Sequence, residues 1–291
     1  MVLQYWLLDV FTEVAFQGNP LAVFPETDLP DSVMQSLAFE LNLSETVFVL
    51  PPTKPDHDFR FRIFTPGKEL PFAGHPIIGA CCALAQNHYR TGSHSLRIEV
   101  EAGTVLVQME KGDFWKAKFQ VPRKPERTEP VDLPDMAAAL GLSKEDLSDR
   151  FEIEVWSCGT PFIFVPLASE AALQKCSVQT TILERIQDKL PASEIYPFFW
   201  NGGNQIRARM FAPALGIPED PATGAAAAAL CGFLSAQSQD GQYRWMVLQG
   251  VEMGRPSQLH LDVEVGNRQA LDARVSGASV MLARGEFQIP G

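Results

Sequence analysis

Two short stretches carry side chains that could bind or move charge, and they resemble one another. The first is Leu70-Pro71-Phe72-Ala73-Gly74-His75-Pro76-Ile77-Ile78-Gly79-Ala80, and the second is Ile217-Pro218-Glu219-Asp220-Pro221-Ala222-Thr223-Gly224-Ala225. Setting Pro76 on Pro221, 145 residues apart, puts Gly79 on Gly224 and Ala80 on Ala225. Each is followed by small and apolar residues suited to a helix, Cys81 to Gln86 and Ala226 to Leu234. Proline is favoured at the first helical position, which predicts His75 and Asp220 as the two N-caps. A helix start presents unpaired N–H groups and partial positive charge, so two of them aimed at one place would hold an anion. Glycine in a helix costs about 1 kcal/mol against alanine, so Gly79 and Gly224 need a reason. Close approach to another helix end or to a ligand would supply one.

The elements that must position these stretches repeat as well. Gly18 and Pro20 match Gly159 and Pro161 at an offset of 141, each pair leading into an apolar strand. Arg62-Ile63-Phe64-Thr65-Pro66 matches Arg209-Met210-Phe211-Ala212-Pro213 at an offset of 147. Three matches in one order predict two copies of a single α+β unit. The copies are expected at residues 1–122 and 123–276, with a terminal strand over 277–291 able to complete the first. Residues 122–133, rich in proline and charge, read as the linker. Strand-like runs between turns predict strands at 4–10, 21–24, 46–50, 58–64, 96–100, 104–109 and 114–121 in the first copy, with 58–64 alternating Phe59, Phe61 and Ile63 against Arg60 and Arg62. Asp31 or Ser32 is expected to cap a helix running to Leu41. In the second copy strands are expected at 162–165, 207–210, 243–248 and 258–265, with a last one at 280–289. Helices are expected at 170–175 and 180–190.

Composition excludes several functions. The chain has 291 residues, 46% hydrophobic and 20% charged, a globular balance with ample core. A net charge of −11 argues against nucleic acid or an anionic membrane as partner. No apolar run reaches the roughly 18 residues that span a bilayer, and residues 1–10 lack the basic start of a leader. Five cysteines without a framework of spacings suit free thiols in a reducing, cytoplasmic setting. No histidine or cysteine spacing predicts a metal site.

With the motifs placed, the chain resembles the PhzF-like family, the phenazine-biosynthesis isomerases, related in fold to diaminopimelate epimerase. The residues carrying the resemblance are Asp9-Val10-Phe11-Thr12, Phe16 to Val23, Leu43-Ser44-Glu45-Thr46, Leu70 to Pro76, Glu219 to Gly224 and Gly254-Arg255-Pro256-Ser257. The resemblance implies two pseudo-symmetric α+β domains, each a mixed sheet or barrel wrapped around a central helix, with the active site between them. It also implies a homodimer and no cofactor. The family's general acid/base glutamate falls on Glu45. Its substrate-contacting residues fall on Gly74 and His75, and on Asp220 and Gly224 with Thr223 and Ala225 beside them. Ala225 stands where the family usually has serine, and Ile77 where it usually has threonine. Both departures bear on the substrate more than on the fold.

Related epimerases use two cysteines, whereas here neither helix start has one; Cys81, Cys82 and Cys231 fall inside the helices. A single carboxylate remains. Glu45 can shift a proton if it takes it from one carbon and returns it to another, which calls for a pKa raised by partial burial. Asp220 could hold a substrate amine or hydroxyl, and His75 could position or shuttle a proton. The expected substrate is a small amino- or hydroxy-carboxylate, with trans-2,3-dihydro-3-hydroxyanthranilate the most specific version. An epimerase of another small acid and a silent protein-binding member are the alternatives. Taken alone, Glu45 is an ordinary loop glutamate, Asp220 a plain cap and His75 a polar residue before a proline. Arg62 and Arg209 are expected to be ion-pair partners, while Arg255 could face the site or brace a turn.

Overall fold

The computed structural model describes residues 1–27, 29–88, 91–128 and 133–289. The chain divides into two compact units, residues 1–122 with 274–291 and residues 123–273. The predicted linker at 122–133 opens with a short strand, and its residues 129–132 lie outside those described, as do the last two residues of the predicted terminal strand.

The first unit holds β1 (Val2–Val10), β2 (Asn19–Phe24), α1 (Asp31–Leu41), β3 (Glu45–Leu50), β4 (Phe59–Phe64), β5 (Glu69–Leu70), α2 (Gly74–His88), β6 (Ser93–Val100), β7 (Gly103–Lys111) and β8 (Trp115–Gln120). The second holds β9 (Glu126–Arg127), α3 (Met136–Ala139), β10 (Glu154–Ser157), β11 (Pro161–Pro166), α4 (Glu170–Lys175), α5 (Thr180–Ile186), β12 (Glu194–Trp200), β13 (Gln205–Ala208), α6 (Gly224–Ala236), β14 (Gly241–Gln249) and β15 (Ser257–Gly266). The boundary falls inside β16 (Gln269–Gln288), a strand of 20 residues.

In the first unit the strands run β1-β2-β3-β4-β6-β7-β8-β16, and β16 pairs back onto β1. The sheet is therefore a closed eight-stranded barrel without free edges. Its core is α2, buried continuously from Gly74 to Ala85. Such a helix has no polar face to read, since every face is enclosed. Gly79 shows how close the packing is. A Cβ there would stand 2.4 Å from Leu21 Cδ2 and 2.6 Å from Val10 Cγ2, both in fully buried side chains. The close approach that its glycine requires is thus to β1 and β2, not to a helix end or a ligand. Outside the barrel, Met34, Leu37 and Ala38 of α1 cover Phe24, Phe48 and Phe64.

The second unit repeats the plan. Its strand order is β16-β15-β14-β13-β12-β11-β10-β9. The parallel pairs β2–β3 and β4–β6 correspond to β11–β12 and β13–β14, and antiparallel β3–β4 corresponds to β12–β13. The central helix is α6, buried on almost every face, while α3, α4 and α5 pack around Val155, Ile163, Val165 and Ile195. The architecture is the expected duplicated α+β unit.

Local expectations changed at the helix starts. α2 begins at Gly74, so His75 lies in its first turn rather than capping it. The first four N–H groups of a helix have no internal partner, so Pro76 fits the third position at no cost. α6 begins at Gly224 behind an extended Thr223, and Asp220 lies three residues before that cap. The Asp220 N–H is instead held by the Met210 carbonyl at 3.0 Å, which carries the chain past the strand ends before helix can start. Pro30 is the N-cap residue of α1, and Asp31 sits in its first turn with its carboxylate on Arg62 rather than on the helix. Strand β12 was not expected. Its run Ile195-Tyr196-Pro197-Phe198-Phe199-Trp200 contains a proline and shows no alternation, because it is covered on both faces.

Candidate active site

In the first unit β3 opens on Glu45, whose side chain is 13% exposed, and α2 brings His75 beside it. Glu45 Oε2 lies 3.3 Å from His75 Nδ1. Burial pushes the imidazole down to about 3, so His75 is neutral at physiological pH. The contact is between a carboxyl group and an uncharged ring, not an ion pair. Asn19 Nδ2, at the start of β2, lies 3.3 Å from the same Nδ1. With the Asn19 amide nitrogen as donor, Nδ1 is the acceptor and the single ring proton lies on Nε2. Nε2 is buried and has no hydrogen-bond partner among the described residues. A buried N–H without an acceptor costs stability, and an oxygen of a ligand would satisfy it.

The surrounding backbone holds this arrangement in place. Asp9, fully buried at the end of β1, accepts the Phe16 N–H at 2.6 Å and closes the loop that leads into Asn19. That loop has Phe11 and Phe16 at positive φ, 64° and 69°, a conformation unfavourable for bulky side chains. Gly277 stands against the Phe11 ring, where a Cβ would come within 2.3 Å of Cδ1.

In the second unit the turn before α6 gathers Asp220, Thr223 and Gly224. Asp220 is 5% exposed, and the Thr223 hydroxyl donates to its Oδ2 at 2.7 Å. Gly224 is the first residue of α6, and Ala225 follows it. The structure thus groups Glu45, Gly74 and His75 within one unit, and Asp220, Thr223, Gly224 and Ala225 within the other.

The repeat-related arginines hold structural positions. Arg62 grips Glu69 through Nε and Nη2 at 2.8 and 2.6 Å, and Arg209 grips Glu219 the same way at 2.8 and 2.8 Å. Each fork ties the end of a strand to the segment leading into the central helix. Thiol chemistry has no foothold. Cys81, Cys82 and Cys231 are buried in the central helices, and burial pushes Cys82 up to about 12 and the other two well above the usual thiol value. They remain protonated at neutral pH, which argues against a two-thiolate racemase. Among the described residues no three His, Cys, Asp or Glu side chains are grouped to hold a metal ion.

Sequence reasoning singled out neither Asn19 as a partner of His75 nor Tyr196 and Gln249 near Asp220. Asn19 lay within a quoted motif, Gly18-Asn19-Pro20. Gln249 could have been flagged as the one amide closing a strand directly before a glycine loop.

A closed barrel around α2, a second sheet around α6, and a carboxyl group against a neutral histidine point to the class of epimerase-like isomerases. The model for phenazine biosynthesis-like proteins matches residues 8–285. A trans-2,3-dihydro-3-hydroxyanthranilate isomerase from Pseudomonas fluorescens is 38% identical over 286 residues, 97% of this chain and 98% of its own. A predicted epimerase from Pseudomonas aeruginosa is 31% identical, with a TM-score of 0.82 over 99% of this chain and 100% of its own. A phenazine biosynthesis protein from Bacillus anthracis shares the fold, with a TM-score of 0.88 at 24% identity over 99% and 100% of the two chains. The chain belongs to the phenazine biosynthesis-like family, and it is an isomerase.

Proposed function

We propose that this chain moves a proton between two carbons of a small amino- or hydroxy-carboxylate, with Glu45 as the carrier. The substrate closest to hand is trans-2,3-dihydro-3-hydroxyanthranilate, which the name of the Pseudomonas fluorescens relative specifies. Glu45 takes a proton from one sp³ carbon; the electron pair shifts the adjacent double bond, and the same carboxyl group returns the proton to the far carbon. Atoms and charge balance without an oxidant, a reductant or water. The negative charge that develops in between is met by the His75 Nε2–H and by the first-turn N–H groups of α2. Asp220 holds the substrate amine, with Thr223, Gly224 and Ala225 around it and Gly74 beside His75.

The observation carrying this reading is the 3.3 Å contact between Glu45 and a buried, neutral His75 whose Nε2 lacks an acceptor. A neutral imidazole is a hydrogen-bond donor rather than a proton shuttle, which leaves proton movement to the carboxyl group. The same proposal includes work in the cytoplasm, in keeping with five free cysteines, and a homodimer.

Glu45→Gln should lower turnover of this substrate by about 10²–10⁴-fold while leaving the fold and Kd nearly unchanged. Near wild-type turnover in that variant would refute the assignment. The likeness to a predicted epimerase favours a second reading, inversion at one stereocentre. NMR in deuterated water separates the two. Deuterium at a new position with a moved double bond supports the isomerisation, and deuterium at one stereocentre without bond movement supports epimerisation.

A further inference from the structure

We propose that Gln249 is a positioning residue for the Asp220 carboxylate, and that Tyr196 acts through it. The inference rests on the reading of Asp220 as a substrate-binding group.

Gln249 ends β14 and is fully buried. Its amide uses every hydrogen-bonding capacity it has. Nε2 donates to the Asp220 carbonyl at 2.8 Å and to Thr223 Oγ1 at 3.0 Å. Oε1 accepts the Tyr196 hydroxyl at 3.0 Å and the Thr223 N–H at 3.3 Å. Two donors and two lone pairs are all that a primary amide offers. One side chain thereby ties both ends of the Asp220–Thr223 turn to the sheet.

The direction of these bonds matters. Because Thr223 Oγ1 accepts from Gln249, its only proton goes to Asp220 Oδ2. The chain therefore runs one way, with Tyr196 O–H to Gln249 Oε1, Gln249 N–H to Thr223 Oγ1, and Thr223 O–H to the carboxylate. Each donor along this chain has its own acceptor, and the last of them, the Thr223 hydroxyl, meets the carboxylate. Tyr196 stays protonated, because burial and then the charge of Asp220 push its hydroxyl well above the usual range. Gly250, next in the chain at φ 74°, locks the strand end against the same turn, since a Cβ there would meet Arg255 O at 2.5 Å and Pro221 O at 2.6 Å.

Gln249→Glu is the sharp test, because it keeps the shape, removes both donated bonds and puts a second carboxylate near the first. The Thr223 proton then has a competing acceptor, which weakens its bond to the Asp220 carboxylate. For trans-2,3-dihydro-3-hydroxyanthranilate we expect KM to rise at least tenfold, kcat to fall less, and the acid limb of kcat/KM to move up by about one pH unit. Tyr196→Phe, which keeps the ring, should move both in the same direction by a factor of two to five. A folded Gln249→Glu with wild-type KM and acid limb overturns the proposal. Should that variant not fold, an unmoved acid limb in Tyr196→Phe overturns it instead.

Failure of the functional reading looks different. It would appear as no turnover by the wild type, or as Asp220→Asn with an unchanged KM. In that case ¹³C-carboxyl NMR, with the Asp220 signal assigned by Asp220→Asn, still decides. Gln249→Glu or Tyr196→Phe must raise the Asp220 titration midpoint, and an unchanged midpoint in a folded variant refutes the positioning role.

Discussion

His75 is held neutral inside the first unit, and that choice couples stability to pH. Its folded-state value is about 3 against 6.5 in the unfolded chain, so between these limits the unfolded state binds a proton that the folded state refuses. The fold has its full stability above pH 6.5 and loses it as pH falls through that window. At pH 5 the loss amounts to about 2 kcal/mol from this one group. His75→Gln cannot titrate, so urea unfolding at pH 7.5 and pH 5 should show a drop about 2 kcal/mol smaller than in the wild type. Equal drops in the two proteins would mean that the ring is charged in the folded state. At this scale the sequence was legible where a motif repeats: the pairing of His75 with Asp220 came from self-alignment alone. The neutrality of His75, and the amides of Asn19 and Gln249 that face the motif residues, depend on contacts 56 and 26–29 residues apart along the chain, which no local pattern encodes.

Glycine in the central helix is the point where element and packing pull in opposite directions. By helix propensity, Gly79→Ala should stabilise α2 by about 1 kcal/mol. By packing, the new methyl would stand 2.4–2.6 Å from Leu21 and Val10, side chains with no room to retreat, and overpacking of that kind costs about 1–3 kcal/mol. Packing should win, so Gly79→Ala lowers the urea midpoint without changing the slope. A raised midpoint would place α2 farther from β1 and β2 than described. The arginine forks make a second contrast. Arg209 also donates to the Leu173 and Cys176 carbonyls at 3.2 and 2.7 Å, satisfying groups at the C-terminal end of α4. Among the described residues Arg62 hydrogen-bonds the carboxylates of Glu69 and Asp31, and Asp31 is 81% exposed. Arg209→Lys should therefore destabilise by more than Arg62→Lys, by about 1–2 kcal/mol, since a lysine cannot reproduce a bidentate fork and leaves buried carbonyls unpaired. Thermal unfolding of the two single variants measures the difference. Element types were readable from periodicity where one face is wet, as in β4 with Arg60 and Arg62 against Phe61 and Ile63. They were not readable in β12, covered on both faces, or at the helix starts, where proline is tolerated anywhere in the first turn.

At the scale of the whole molecule, the chain writes one unit twice but closes the first barrel with its last strand. Residues 274–278 of β16 pair with β8 and residues 279–288 pair with β1, which closes the barrel. The duplication was visible in three sequence matches because the repeated pieces are the ones with strict backbone demands: a glycine-proline entry to a strand, an arginine fork, and a proline at the start of a buried helix. The length of β16 was not visible, since only residues 280–288, its second half, carry a strand-like run of their own. A chain ending at Ala273 should test the consequence. It would leave β1 and β8 as bare edges and open the barrel around α2, while the strands around α6 keep their partners. Hydrogen exchange should then show protection lost across residues 77–85 and retained across 226–235, together with aggregation that rises with concentration. Retained protection at 77–85 would show that seven strands suffice to enclose the helix, and the closing role assigned to β16 would fall.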